Sequence, residues 1–121
     1  MTPVDVRRYA LALPDTSEEP QLSCSFFRVR NRVFATVPPC RRYLHVFLST
    51  VDSEFAFAAH PEFVERLVWD DHVVGVRVDL EHALPKFVER LISQAWARDA
   101  GKHLLDGCAI RMSGGHRRIV V

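Results

Sequence analysis

The chain has 121 residues, 48% of them hydrophobic and 26% charged, which is enough apolar content to close one core and too much for a disordered chain. Sixteen Lys and Arg against fifteen Asp and Glu leave a formal net charge of +1, which excludes a whole-molecule field that gathers nucleic acid or anionic lipid, so any such contact has to come from a local patch. No apolar run of about eighteen residues and no cleavage-type leader occurs, so a cytoplasmic protein without a membrane partner is expected.

The first predicted element is a helix. Thr2 is a candidate N-cap, Pro3 stands at the first helical position, and Asp5 completes a capping-box-like start. Val6, Tyr9, Ala10 and Leu13 then share a face before Pro14 stops the run. "DTSEEPQLSC" reads as a polar connection. "SFFRVRNRVFATV", residues 25–37, reads as a tight hairpin in which Phe27 and Val29 alternate with Arg28 and Arg30. A two-residue turn at Asn31-Arg32 would pair Val29 with Phe34 and Arg28 with Ala35.

The two prolines of "PPCRRY" break the ladder, and "LHVFLS" returns as a third strand with Leu44, Val46 and Leu48 on one face. "DSEFAFAAHP" is a short helix opened by Asp52 or Ser53 and stopped by His60-Pro61. "FVERLVW" and "VVGVRVDL" flank "DDH" as a second hairpin. "PKFVERLISQAWARDA" then sets Phe87, Val88, Leu91, Ile92, Ala95 and Trp96 on one apolar face, between Pro85 and Gly101. The order α-β-β-β-α-β-β-α has no βαβ alternation, so it predicts an α+β fold with a five-stranded antiparallel sheet and helices on one face. Residues 1–101 form the expected folding unit. Residues 102–121 are a C-terminal extension in which Gly114-Gly115 allows either a small extra hairpin or a frayed end.

Catalytic chemistry finds little support. Only five glycines occur, with no GxGxxG and no GxxxxGK[ST] to cradle a phosphate, and no serine stands in GxSxG. The six histidines include no HExxH and none at metal-binding spacing with cysteine. Asp70-Asp71-His72 could offer ligands to a divalent ion, but aspartate in a turn is commonly there for its own backbone bonds. Cys24, Cys40 and Cys108, odd in number and widely spaced, fit a reducing compartment and unpaired thiols better than a disulfide framework. No enzyme, cofactor or metal is expected.

The arginines carry the sharper hypothesis. Arg28, Arg30 and Arg32 cluster on the first hairpin, and Arg41 and Arg42 could enlarge the patch. One reading is that these charges blunt a sheet edge. The other is a basic wing laid against phosphates. Trp69 and Trp96 sit in the register of apolar faces, where core packing is the default, and they are the candidate lining of a pocket for a small molecule or protein segment.

The ordered set "VDVRRYALALPDTSEEP", "SFFRVRNRVFATV", "FAAHPE", "VRVDL" and "LISQAW" resembles the MmcQ/YjbR-like family over residues 1–100. The resemblance implies an α-β3-α-β2-α domain with a double-wing, DNA-binding-type fold, in a family whose biochemical role is largely unestablished. Phe26 or Phe27, Arg28, Val29, Arg30, Val33, Phe34 and Ala35 match its first hairpin, with Asn31-Arg32 in place of the usual glycine-lysine turn. The second hairpin departs from the pattern. Asp70, Asp71 and His72 follow Trp69 where basic residues are usual, and such an acidic tip opposes phosphate contact. The expected function is DNA binding through the first hairpin. The alternative is a non-enzymatic module that holds a small molecule or protein segment between the sheet and the last helix.

Overall fold

The computed structural model describes residues 1–21 and 23–98, and the backbone of 119–120. In chain order the elements are α1 (Pro3–Ala12), β1 (Thr16–Gln21), β2 (Cys24–Val29), β3 (Arg32–Val37), β4 (Tyr43–Phe47), α2 (Thr50–Ala59), β5 (Val64–Trp69), β6 (His72–Asp79), α3 (Pro85–Ala97) and β7 (Ile119–Val120). One antiparallel sheet runs β1-β2-β3-β4-β6-β5-β7. The α+β class and three helices agree with the sequence reading, but the sheet is larger than the expected five strands.

The additional full-length strand is β1, which the sequence reading treated as a connection. "TSEEPQ" lacks the β-branched alternation of a buried strand, yet all six of its residues are in register with β2, from Thr16↔Val29 to Gln21↔Cys24. Its place at the sheet edge explains the composition, because an edge tolerates Pro20 and is protected from further pairing by Glu18 and Glu19. At the opposite edge, two residues of β7 pair with β5 as Arg66↔Val120 and Leu67↔Ile119. The proposed hairpin about Gly114-Gly115 lies outside the described residues.

The first hairpin turns one residue earlier than expected. Arg30 and Asn31 have φ of 49° and 64°, so they are the central pair of the turn and Val29 faces Arg32. Two consecutive positive φ angles match the right-handed twist of the flanking strands. A bulge at Phe27/Arg28 then restores pairing as Phe27↔Ala35, and both Phe34 and Ala35 are fully buried. The second hairpin repeats the device, with Asp70 and Asp71 at φ 52° and 63° and a bulge at Leu67/Val68.

Helix α1 begins as expected, with Thr2 and Asp5 forming a reciprocal capping box. Helix α2 begins earlier than expected. Ser49 is its N-cap and accepts from the Asp52 amide at 3.1 Å, whereas Ser53 is buried inside the helix. Val6 and Ala10 of α1, Ala56 of α2, and Val88, Leu91, Ile92 and Ala95 of α3 close over Phe27, Val29, Phe34, Val46, Val76 and Val78. Trp96 differs from the expected core residue: it is half-buried at the core margin, and its indole nitrogen donates to the Pro14 carbonyl at 2.9 Å, tying the end of α3 to the end of α1.

Candidate nucleic-acid interface

Antiparallel order places the two wing tips at one end of the sheet. β3 descends from Arg32, β4 returns beside it with Ala35↔Val46, and β6 lies against β4 with Phe47↔Gly75. The turns at Arg30-Asn31 and Asp70-Asp71 therefore project from the same end, one tipped by a cation and the other by two carboxylates. The turn closed by the Arg41 amide donating to the Pro38 carbonyl, at 2.9 Å, lies at the other end of β3. At about 3.3 Å per residue, six strand residues separate the two ends by roughly 20 Å.

The five arginines are thereby divided. Arg28 crosses from β2 to β1, where its Nε donates to Glu19 at 2.7 Å. Arg30 stands exposed in the turn, and its side chain makes no hydrogen bond or ion pair among the described residues. Arg32 points away from the tip, toward the helices. Its guanidinium donates to the carbonyls of Ala95, Trp96 and Arg98 at 3.0, 3.1 and 2.7 Å, and so caps the C-terminus of α3. The last carbonyls of a helix lack intrahelical donors and carry the negative end of its dipole, which makes a guanidinium a strong partner. No local sequence signal foretells this, because the partners lie 63 to 66 positions along the chain.

Arg41 and Arg42 share the far end of the sheet but differ in their engagements. Arg41 is exposed, with φ 59°. Arg42 grips Asp79 through Nε at 3.2 Å and Nη2 at 3.0 Å, with Glu81 at 3.5 Å. The Arg42 hydrogen bond, opposed by burial and reinforced by His82 and the Glu81 amide, lowers the Asp79 pKa to about 2. Asp79 has a lower pKa folded than unfolded, so it stabilises the fold above the ordinary carboxylate value of 3.8 and loses that contribution as pH falls toward 2. An acid titration followed by circular dichroism should show Asp79→Asn eliminating part of the stability lost over that window. An unchanged acid profile would mean that the pair is dispensable.

Ligand-type side chains also meet at this end, where Asp79, Glu81 and His82 bring one ligand atom each within 4.8 Å of one another. Asp79 already receives Arg42, the Glu81 amide and the His82 ring, which account for both of its oxygens. The sequence-flagged trio behaves differently. Asp70 and Asp71 form a turn, and His72 begins β6.

Trp69 ends β5 opposite His72 and is half-buried. Neither it nor Trp96 lines either of two clefts formed by described residues. One cleft, of about 310 Å³, lies between α2 and α3 and is walled by Asp52, Phe55, Ala56, Phe87, Arg90 and Leu91. The other, of about 210 Å³, is bordered by Tyr43, Phe57, Phe63, Glu65, Arg77 and Asp79. Arg77 stacks on Tyr43 there at 4.1 Å and pairs with Glu65, so the fold's own cation already occupies that aromatic face.

No protein-family model matches the chain, and no curated protein matches it. Among solved structures, the fold is similar to the crystal structure of Deinococcus radiodurans protein DR2400, a DUF419 domain, with a TM-score of 0.69 and 18% identity over 91% of this chain and 88% of that one. DUF419 falls in the YjbR/MmcQ-like fold family. The likeness shows a shared fold. No helix among the described residues is long and apolar enough to cross a membrane.

Proposed function

We propose that this chain is a non-enzymatic DNA-binding domain that lays its first wing against the phosphate backbone. Arg30 supports the reading best: it is an exposed guanidinium at the apex of a protruding turn, and no described residue neutralises it. Arg28, at the wing's side, joins by exchanging Glu19 for a phosphate oxygen, a partner that Arg holds equally well. Arg32 contributes indirectly by fixing the hairpin base to α3. Arg41 and Arg42, at the far end, fall outside the footprint. The acidic second tip keeps its own wing off the backbone, so contact is one-sided and weak, and sequence readout has no assigned residue.

A second reading, a module for a protein segment or small molecule, is favoured by Phe55. This side chain is 72% exposed on the wall of the α2–α3 cleft. Amide chemical-shift mapping with a short duplex at low salt separates the two readings. The DNA reading expects shifts confined to about residues 27–33. Shifts centred on residues 52–59 and 87–94, or none at all, would reject it.

A further inference from the structure

The thiols of Cys24 and Cys40 belong to different segments that the sheet brings together. The last β2–β3 pair at this end is Ser25↔Val37, and one step further along the ladder sets Cys24 beside Pro38. Pro38 opens the turn that its carbonyl closes with the Arg41 amide at 2.9 Å. Such a turn folds its ends, Pro38 and Arg41, to within about 7 Å, and Cys40 stands inside it, two residues beyond Pro38. Both sulfurs are free, Cys24 half-buried and Cys40 exposed. Burial raises the Cys24 pKa, and the Cys40 thiol raises it further.

We propose that Cys24 and Cys40 form a dithiol site that reacts with low-molecular-weight disulfides, of which oxidised glutathione is the type, and closes to an intramolecular disulfide. Exposure makes Cys40 the first nucleophile. Its thiolate attacks one sulfur of the small disulfide; that S–S bond breaks, a mixed disulfide forms on Cys40, and one small thiolate leaves. The Cys24 thiolate then attacks the Cys40 sulfur, forming the Cys24–Cys40 bond and expelling the second small thiolate. Two protein thiols lose two electrons, the small disulfide gains them, and the two protons go to the departing thiolates. The bridge needs Cα atoms within about 7 Å, and it rests on the ladder step that sets Cys24 beside Pro38, with Cys40 two residues further in the turn. The product would clamp the β3–β4 turn to the start of β2, at the opposite end of the sheet from the wing tips.

The test treats the full chain, and the same chain carrying Cys108→Ser, with oxidised glutathione at neutral pH, and follows intact mass and non-reducing peptide maps. The expected product is lighter by two hydrogens, carries no glutathione, and yields one cross-linked peptide containing Cys24 and Cys40. Cys24→Ser should arrest the reaction at a stable glutathione adduct on Cys40, and Cys40→Ser should leave Cys24 largely unmodified. A glutathione adduct that persists on Cys40 while Cys24 is present would overturn the proposal. So would a bridge that uses Cys108 in the full chain, or unreacted thiols at both positions.

Discussion

Replacing Arg32 by Ala should lower the stability of the fold by about 3 kcal/mol, far more than loss of a surface arginine. The side chain supplies three donors to the carbonyls that end α3, two of them at 3.0 and 2.7 Å, in a part-buried setting. Hydrogen bonds involving a charged group contribute about 1.5–3 kcal/mol each and are not additive, and the carbonyls left behind add a desolvation cost. Arg32→Lys should recover less than half, because a point-like ammonium cannot span three carbonyls as the planar fork does. Arg30→Ala, at an exposed turn, should stay within about 0.5 kcal/mol of the parent. Urea unfolding of the three variants reads the contrast. A loss of only a few tenths for Arg32→Ala would mean that the guanidinium does not hold the helix end, and would return it to the tip as a candidate phosphate contact.

Gly75→Ala should be at least as damaging. A Cβ built at Gly75 meets the Val46 carbonyl oxygen at 2.2 Å and the Phe47 Cα at 2.9 Å. Both obstacles are backbone, so no side chain can rotate aside, and the change must force β6 away from β4 in the middle of the sheet. Five residue pairs join those strands, and Leu44, Val46, Val76 and Val78, which meet across them, are completely buried. Overpacking against rigid neighbours costs about 3 kcal/mol at the upper end of its usual range. For a domain of this size that corresponds to a fall in melting temperature of roughly 12 °C or more. A melting temperature within about 3 °C of the parent would place the two strands further apart than described.

The residues that announced their structure did so through local rules. Thr2, Pro3 and Asp5 specify a helix start by capping chemistry alone, and the apolar spacing of Val88, Leu91, Ile92 and Ala95 specifies the buried side of α3. β1 was not legible, because "TSEEPQ" becomes a strand only through the partner it finds in β2. The turn of the first wing was misplaced by one residue for a related reason. Asn31 suits either position of a two-residue turn, and the choice is made by a bulge that buries Phe34 and Ala35 together, which no pattern of strict alternation anticipates. That one-residue shift changes the site itself, because it moves Arg32 from the tip to the base. Arg42 was legible as a charge, but its partner was not, since Asp79 lies 37 positions away.

The central claim is that Arg30 leads a one-sided contact with phosphate, and fluorescence anisotropy of a short labelled duplex across a salt series tests it most directly. Each phosphate contact releases close to one condensed counterion, so one or two contacts predict a log-log slope of about −1 to −2 for the parent chain. Arg30→Ala should flatten that slope by about 0.9, while Arg41→Ala, at the far end of the sheet, should leave it unchanged. Absence of binding even at low salt, where electrostatic attraction is least screened, or a slope indifferent to Arg30, would contradict the account.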